Sequence, residues 1–521
     1  MADLDALGEL KNQQRPTRRF EKTYGKKKPA MAQSRAMHFD LFGGGDENKI
    51  VDEMEKLTIK NDRKERVESV PPVQECPVPA KVHPTEHNPR LRGRRKATTS
   101  KRMATLTQDK MQALKPLLSL VNQEVQDFQE FGRSMGKKYI CTKLGEGAFA
   151  DVFKLKPKDI DEAMQVYERG GLVIKVIPFT VDKIDDDDIG DLESVTREVR
   201  ILQTLDPLHG FARCRGVHVV SGKYPDVLLD AFQMFKTTHP LTAINPDPTK
   251  TAPADQLYVI IEMDDAGTPV WKIGRPSAFQ AFDIFWKTAM VLANAEEKVE
   301  FEHRDLHNGN VCYKPLKRNG PGDVIQAVVE DMLEEPEVTL GLSNLQVTVI
   351  DYTLARAKVG NDSEGDLVVF DPIQYWEEND AEGESESDKK QYDTYRKVRD
   401  WARGEEAKAK AAAELDGAEY EERDKYSRFL PKSNVMWLGY LVADLLMKSA
   451  GGRGASLPGS SRAAKRLQLY MWRTLEEVDV YVNGSSPTLM PESAGDLLAT
   501  AMEMKWLTLA DMAVFREELE E

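Results

Sequence analysis

Phe301-Glu302-His303-Arg304-Asp305-Leu306-His307-Asn308-Gly309-Asn310-Val311 is the stretch that decides the reading of this chain. It places a carboxylate, Asp305, and an amide, Asn310, within one short segment rich in polar side chains. A carboxylate there can orient an acceptor hydroxyl and take its proton, while the amide oxygen can ligate a nearby magnesium ion. Downstream, Val347-Thr348-Val349-Ile350-Asp351 sets a lone acid at the end of a β-branched strand, where a second magnesium ligand is needed.

Upstream, Lys175 stands in the middle of the apolar run Leu172–Ile177, a strand that Pro178 is expected to end. An ammonium in such surroundings is costly unless paired. Nucleotide phosphates and Glu198, on a helix expected over Glu193–Leu205, are the economical partners; a lysine snorkelling from an edge strand is the plainer reading. Before it, Lys143-Leu144-Gly145-Glu146-Gly147-Ala148-Phe149-Ala150-Asp151-Val152 fits a glycine-rich phosphate loop, with Ala150 at the third glycine and Val152 placed to cover a purine. Two glycines in a strand turn are common, so this turn gains its meaning from the residues that follow it.

The rest of the chain frames these motifs. Its 521 residues carry 72 Lys and Arg against 87 Asp and Glu, a net charge of −15. Single cores stop growing near about 250–300 residues, which implies at least two lobes. No apolar run is long enough to span a bilayer, and the opening MADLDALGEL has neither a basic nor an apolar signal region, so secretion and membrane insertion are not expected. Cys76, Cys141, Cys214 and Cys312 are far apart and form neither a disulfide framework nor a zinc site.

Charge is unevenly spread. Residues 1–102 hold 23 Lys and Arg against 15 Asp and Glu, a net +8, and the remainder is left with −23. The arm is poor in aromatic and β-branched residues and broken by prolines, so residues 1–105 are expected to be disordered. Its densest cluster, Arg90-Leu91-Arg92-Gly93-Arg94-Arg95-Lys96, reads as a solvated tail, a nuclear import signal or a nucleic-acid contact.

From residue 106 the pattern is that of a folded domain. Leu114, Leu117, Leu118, Val121 and Val125 recur at helical spacing. Strands are expected at Tyr139–Cys141, Val152–Leu155, Leu172–Ile177, Val227–Phe232 and Leu257–Glu262, then a long buried helix over Ala278–Ala295. Sheet first and helices later is the α+β order of two unequal lobes. Segments 237–256, 314–345 and 376–428 look like insertions, the last an exposed helix laced with charged pairs.

Together these motifs resemble a eukaryotic-type protein kinase and, within that group, the haspin family of Ser/Thr kinases. Three features carry the likeness: Asp351-Tyr352-Thr353 in place of Asp-Phe-Gly, His307 after His-Arg-Asp-Leu, and the run Gly216–Pro225. Tyr392–Arg396 and Ser433–Leu438 also look haspin-like. The resemblance covers about residues 135–515 and implies a bilobal kinase fold within 106–515, the small lobe at about 135–266 and the large one at about 267–515.

It further implies ATP and Mg2+ as cofactors. Lys175 and Glu198 would be the ion pair that sets the phosphates, Asp305 the base, and Asn310 and Asp351 the metal ligands. Gly145, Glu146, Gly147, Ala150 and Val152 would cover the nucleotide, with Met263 as gatekeeper and Asp264 and Ala266 meeting adenine. Asn434 would take the place of the Asp that holds the backbone of the catalytic run, and no Ala-Pro-Glu anchor follows Asp351. Arg304 would lack its usual phosphate partner, with Glu364 or Asp366 as substitutes.

By the same resemblance the substrate is a basic protein, the histone H3 tail phosphorylated on threonine in mitosis, met by Glu377, Glu378 and Asp380. A monomer is expected, located in the nucleus on chromosomes, with the cytoplasm also open, and the arm contacting chromatin or an import receptor. Two other readings stay open: a small-molecule kinase of the aminoglycoside or choline kinase type, and a pseudokinase scaffold.

Overall fold

The computed structural model describes residues 38–39, 106–147, 150–161, 166, 171–182, 190–240, 243–316, 338–360, 366–369, 385–417, 420, 427–449, 462–484 and 489–520. The basic arm apart from two residues, Glu364, and the acids Glu377, Glu378 and Asp380 lie outside the described residues.

After the two-residue β1 (His38–Phe39), the chain runs through α1 (Gln108–Val121), β2 (Gln126–Asp127) and α2 (Phe128–Lys138). The hairpin β3 (Tyr139–Glu146) and β4 (Asp151–Pro157) follows, then β5 (Leu172–Thr180), β6 (Gly190–Asp191) and α3 (Leu192–Leu205). β7 (Cys214–Ser221), α4 (Asp226–Thr238), α5 (Pro248–Thr251) and β8 (Leu257–Asp264) complete the first lobe. Its sheet has the order β1-β3-β4-β5-β8-β7-β2, with β6 added to β5. β5 lies between β4 and β8, and its apolar run is buried on both faces because Ile174 and Val176 pack into one apolar cluster while Val173 and Ile177 pack into others.

The second lobe is mainly helical. β9 (Thr268–Pro269) leads to α6 (Ala278–Val299), and β10 (Val311–Pro315) with β11 (Leu345–Val349) extends β9 into a small antiparallel sheet. A hairpin of β12 (Arg356–Val359) and β13 (Asp366–Val369) precedes α7 (Glu386–Leu415), α8 (Lys432–Lys448), α9 (Arg462–Asn483), α10 (Ala494–Glu503) and α11 (Leu509–Glu520). Ser277 and Gln280 cap α6 reciprocally, and the helix is apolar nearly all round, so it forms the buried axis of this lobe. The α+β order expected from the sequence is therefore observed.

Three local expectations are corrected. Val227–Phe232 is not a strand but part of α4: Leu228, Ala231, Phe232 and Phe235 are its buried residues, a spacing of three and four that belongs to a helix. The strand of that region is β7, which pairs with β8. Pro178 does not end β5, which continues to Thr180; β4 has left its edge at Val176 and β6 joins it only from Phe179, so a residue without an N–H is tolerated in the gap between them.

The third correction concerns α7. Its Ala-rich second half is largely exposed, as expected. Its first half is not: Gln391, Tyr392, Thr394, Tyr395, Val398 and Ala402 form a buried stripe, because α7 packs against α8.

Candidate active site

A cleft between the two lobes is lined by Leu144, Val152, Val173, Lys175, Glu198, Met263, Asp264, Ala266, Ile350 and Asp351, among others. Strands β3, β4 and β5 supply its roof, β8 its back, and the end of β11 its floor. Gly267, just after β8, has φ +96° and lies so close to Tyr313 O that a Cβ would stand 2.4 Å from it. Only glycine lets the strand connection approach β10 this closely.

Lys175 Nζ lies 2.6 Å from Glu198 Oε1 and 3.6 Å from Asp351 Oδ1. Burial alone would lower the lysine's pKa, but Asp351 and then Glu198 reverse this and hold it above its ordinary value. Asp351 is buried too, which would raise its pKa; Lys175 first and the Thr353 hydroxyl next outweigh this and keep it low. Thr353 Oγ1 donates to Asp351 Oδ1 at 2.7 Å. Asp351 has φ +63° and Arg304 φ +65°, left-handed conformations that a non-glycine residue adopts at a cost, and both flank the reacting region.

Tyr352 shows what the phenol adds over a phenylalanine. Its hydroxyl donates to Val349 O at 2.8 Å and accepts the N–H of Ala212 at 3.0 Å. Its ring meets Phe211, Phe301 and His303 edge-on. The segment carrying Asp351 is thus bolted to the connection between α3 and β7.

In the catalytic run, His303 Nε2 pairs with Ile350 O at 3.0 Å, and its Nδ1 accepts the N–H of Asp305 at 3.3 Å. Burial pushes His303 and His307 down to about 4, so both imidazoles are neutral at physiological pH. His307 Nδ1 accepts the N–H of Gly309 at 2.9 Å. Asn310 Nδ2 donates to Asp305 O at 2.8 Å and Asp305 Oδ2 at 3.3 Å. Burial pushes Asp305 up to about 8, an effect that Tyr395 and Asn310 reduce by donating to it.

Asn310 Oδ1 is buried and has no hydrogen-bond partner among the described residues. A buried acceptor left unpaired is costly, and this one has the hard oxygen chemistry that Mg2+ takes, as does Asp351. The residues present therefore fit the metal that the resemblance implies.

The glycine turn is held from outside. Glu146 accepts from Lys143 Nζ at 2.6 Å and from the N–H groups of Ile244 and Asn245 at 2.6 and 2.7 Å. Asn245 Nδ2 donates to Ala150 O and Asp151 Oδ1. The segment 243–247, part of an expected insertion, thus clamps the loop, and the Glu146 carboxylate is committed to the clamp. Val152, Lys175, Glu198, Met263, Asp264, Ala266 and Asp351 line the cleft, while Gly145, Glu146, Gly147 and Ala150 form the turn beside it. Ala150 is not among the described residues with positive φ, so the position does not demand glycine.

Arg304 is fully buried and donates from Nε and Nη2 to Glu302, each at 3.2 Å. Glu302 also accepts from Ser433 Oγ and the N–H of Leu430. The expected substitute Asp366 binds Arg200 of α3 instead, at 3.0 Å. Sequence reasoning missed Glu302 in this role, and it missed Tyr395, whose hydroxyl donates to Asp305 Oδ1. The available signal was the helical spacing of Gln391, Tyr395 and Val398 within an otherwise charged segment.

Comparison with known proteins agrees with this geometry. Residues 86–480 match the family model described as a haspin like kinase domain. The chain is similar to the serine/threonine-protein kinase haspin homolog of Schizosaccharomyces pombe, with 28% identity over 65% of this chain and 62% of that protein. It is 28% identical to haspin of Mus musculus over 59% of this chain and 36% of that protein. The Drosophila melanogaster haspin homolog is 24% identical over 58% of this chain and 48% of its own length. The chain thus spans less than two thirds of the length of these relatives. With most of its sequence inside this one family model, the chain belongs to the haspin-like protein kinases.

Proposed function

We propose that the chain is an ATP-dependent serine/threonine protein kinase. The observation that carries this is the convergence of Lys175, Glu198 and Asp351 within ion-pair distance, with the unpartnered Asn310 Oδ1 and the Asp305 carboxylate on the neighbouring catalytic run. A pseudokinase scaffold has no need for such a set.

In this reading ATP lies in the cleft, with adenine against the backbone of Asp264 and Ala266 and beside Met263. Lys175, oriented by Glu198, meets the phosphates. Asn310 and Asp351 would hold Mg2+, which when bound neutralises charge on the phosphates. Asp305 orients the acceptor hydroxyl and receives its proton. The hydroxyl oxygen bonds to the γ-phosphorus as the bond from that phosphorus to the β,γ-bridging oxygen breaks, and ADP leaves. His303 and His307, neutral and buried, position the run without supplying charge.

Charge supports a basic substrate. Outside the basic arm the chain carries −23, which favours encounter with a cationic segment in a salt-sensitive way. The histone H3 tail, phosphorylated on the threonine at its third position in mitosis, is the specific form of this proposal. Glu377, Glu378 and Asp380 are its proposed readers, and the basic arm its link to chromatin or an import receptor in the nucleus.

Transfer of labelled phosphate from ATP to H3 tail peptides tests this, with threonine or alanine at the third position and the α-amine free or acetylated. Labelling that requires the threonine and falls on acetylation is the expected result. Equal labelling of all peptides would remove the H3 assignment. Transfer only to aminoglycosides or choline would replace the protein-kinase reading, and ATP binding without transfer to anything would favour a scaffold.

A further inference from the structure

Asp305 is held on both of its oxygens, and one holder comes from outside the catalytic run. Asn310 Nδ2 donates to Oδ2 at 3.3 Å, and the Tyr395 hydroxyl, on α7, donates to Oδ1. The direction of the second bond is set by a neighbour: Gln391 Nε2 donates to the Tyr395 oxygen at 3.3 Å, leaving the phenolic hydrogen for Asp305.

Tyr395 is not a surface side chain that strays into the site. It is 6% exposed, and its ring stands edge-on to the buried Trp437 of α8 at 4.9 Å, with the Tyr392 ring tilted against it at 6.2 Å. The start of α7 is tied to the same run: Asn308 Nδ2 donates to Ser387 Oγ at 3.2 Å, and Ser387 Oγ donates to Asp444 Oδ1 at 3.0 Å. Moving the phenol would require unpacking α7 from α8.

We propose that Tyr395 is a positioning residue for phosphoryl transfer, its hydroxyl fixing the Asp305 carboxylate so that a remaining lone pair faces the acceptor hydroxyl. A carboxylate offers about four lone-pair sites, so one donor on each oxygen fixes its rotation and leaves sites for the acceptor. Correct presentation of a base counts because transfer tolerates little misplacement of reacting groups. The role would make α7, which the sequence presents as a charged insertion, part of the site's support.

The proposal rests on the kinase reading, and the test separates the two. Parent and Tyr395→Phe chains are compared for phosphate transfer to a basic peptide, for KM of ATP and of peptide, and for melting temperature. The expected result is a fall in kcat of about 10- to 100-fold, with both KM values and the melting temperature close to parental. Incorporating para-aminophenylalanine at position 395, which puts an N–H donor on the same ring, should restore much of the lost kcat. If the phenylalanine variant melts early, para-methylphenylalanine, an isostere without a donor, replaces it in the comparison. An unchanged kcat in the donor-free variants, or equal kcat in the para-methyl and para-amino chains, overturns the proposal while leaving the kinase reading in place. Absence of transfer by the parent chain itself would instead remove the kinase reading.

Discussion

Asn434 accepts the backbone N–H of His303 at 3.0 Å while its Nδ2 donates to Glu296 Oε1 and to Phe301 O, both at 2.9 Å. An aspartate could accept the first bond but could not donate the other two. The amide is therefore required by its neighbour: Glu296 is buried and also caps α10 by accepting the N–H groups of Ala494 and Gly495. Asn434→Asp would set two carboxylates together in a buried site and orphan a carbonyl, at a cost of about 2–4 kcal/mol at pH 7.5. Urea unfolding should show this loss and show it shrinking at pH 5.5; equal stability of variant and parent would refute it.

Glu296 also gives the parent protein a pH dependence. Burial pushes its pKa up from 4.5 to about 7, with its hydrogen bonds opposing. Because the folded value is the higher one, its contribution to stability is fully present below about pH 4.5 and is lost as pH rises through about 7. The loss is on the order of 3 kcal/mol. Relative to Glu296→Gln, the parent should lose stability across that window. Parallel stability curves for the two chains would mean that Glu296 does not titrate there.

Removing the charge pairs of the cleft should end catalysis without unfolding the chain. Lys175→Ala, Asp305→Asn and Asp351→Asn each remove positioning or charge stabilisation rather than core packing. Transfer rates should fall to background in each, and pairs of substitutions should cost little more than one, since the groups act as a unit. Normal turnover by Asp305→Asn would sink its assignment as the base.

Tyr352→Phe keeps the ring contacts but strands two backbone groups, Ala212 N–H and Val349 O. A loss of about 1–3 kcal/mol in urea unfolding is expected. With the anchor gone, kcat should fall as Asp351 loses its fixed place. Parental stability and kcat would show that the phenol is dispensable.

Arg304 is already satisfied by Glu302 in the interior. No phosphate on the segment after Asp351 is needed to neutralise it. The chain expressed in bacteria and treated with phosphatase should therefore transfer phosphate at full rate. Inactive protein rescued by an upstream kinase would contradict this.

The catalytic run, Lys175, Glu198 and Asp351 were legible because each motif is local, and because a charge within an apolar strand has few explanations. The α+β order and α6 were legible for a similar reason, since hydrophobic periodicity follows from chain geometry alone. The strand wrongly expected at Val227–Phe232 marks the limit of such reading: a short apolar run suits either helix or strand until its neighbours decide. What the tertiary structure alone decided are contacts between residues remote in sequence. Tyr395 reaches Asp305 across 90 residues because Trp437 backs its ring, and Asn434 reaches His303 across 131 because α8 lies under the catalytic run. Pairing Arg304 with Glu302, only two residues away, was no easier to foresee, since Ser433 and Leu430 of the α8 segment complete the site in which that carboxylate is buried. A sequence lists the groups that can bond; which ones meet is set by how the helices pack.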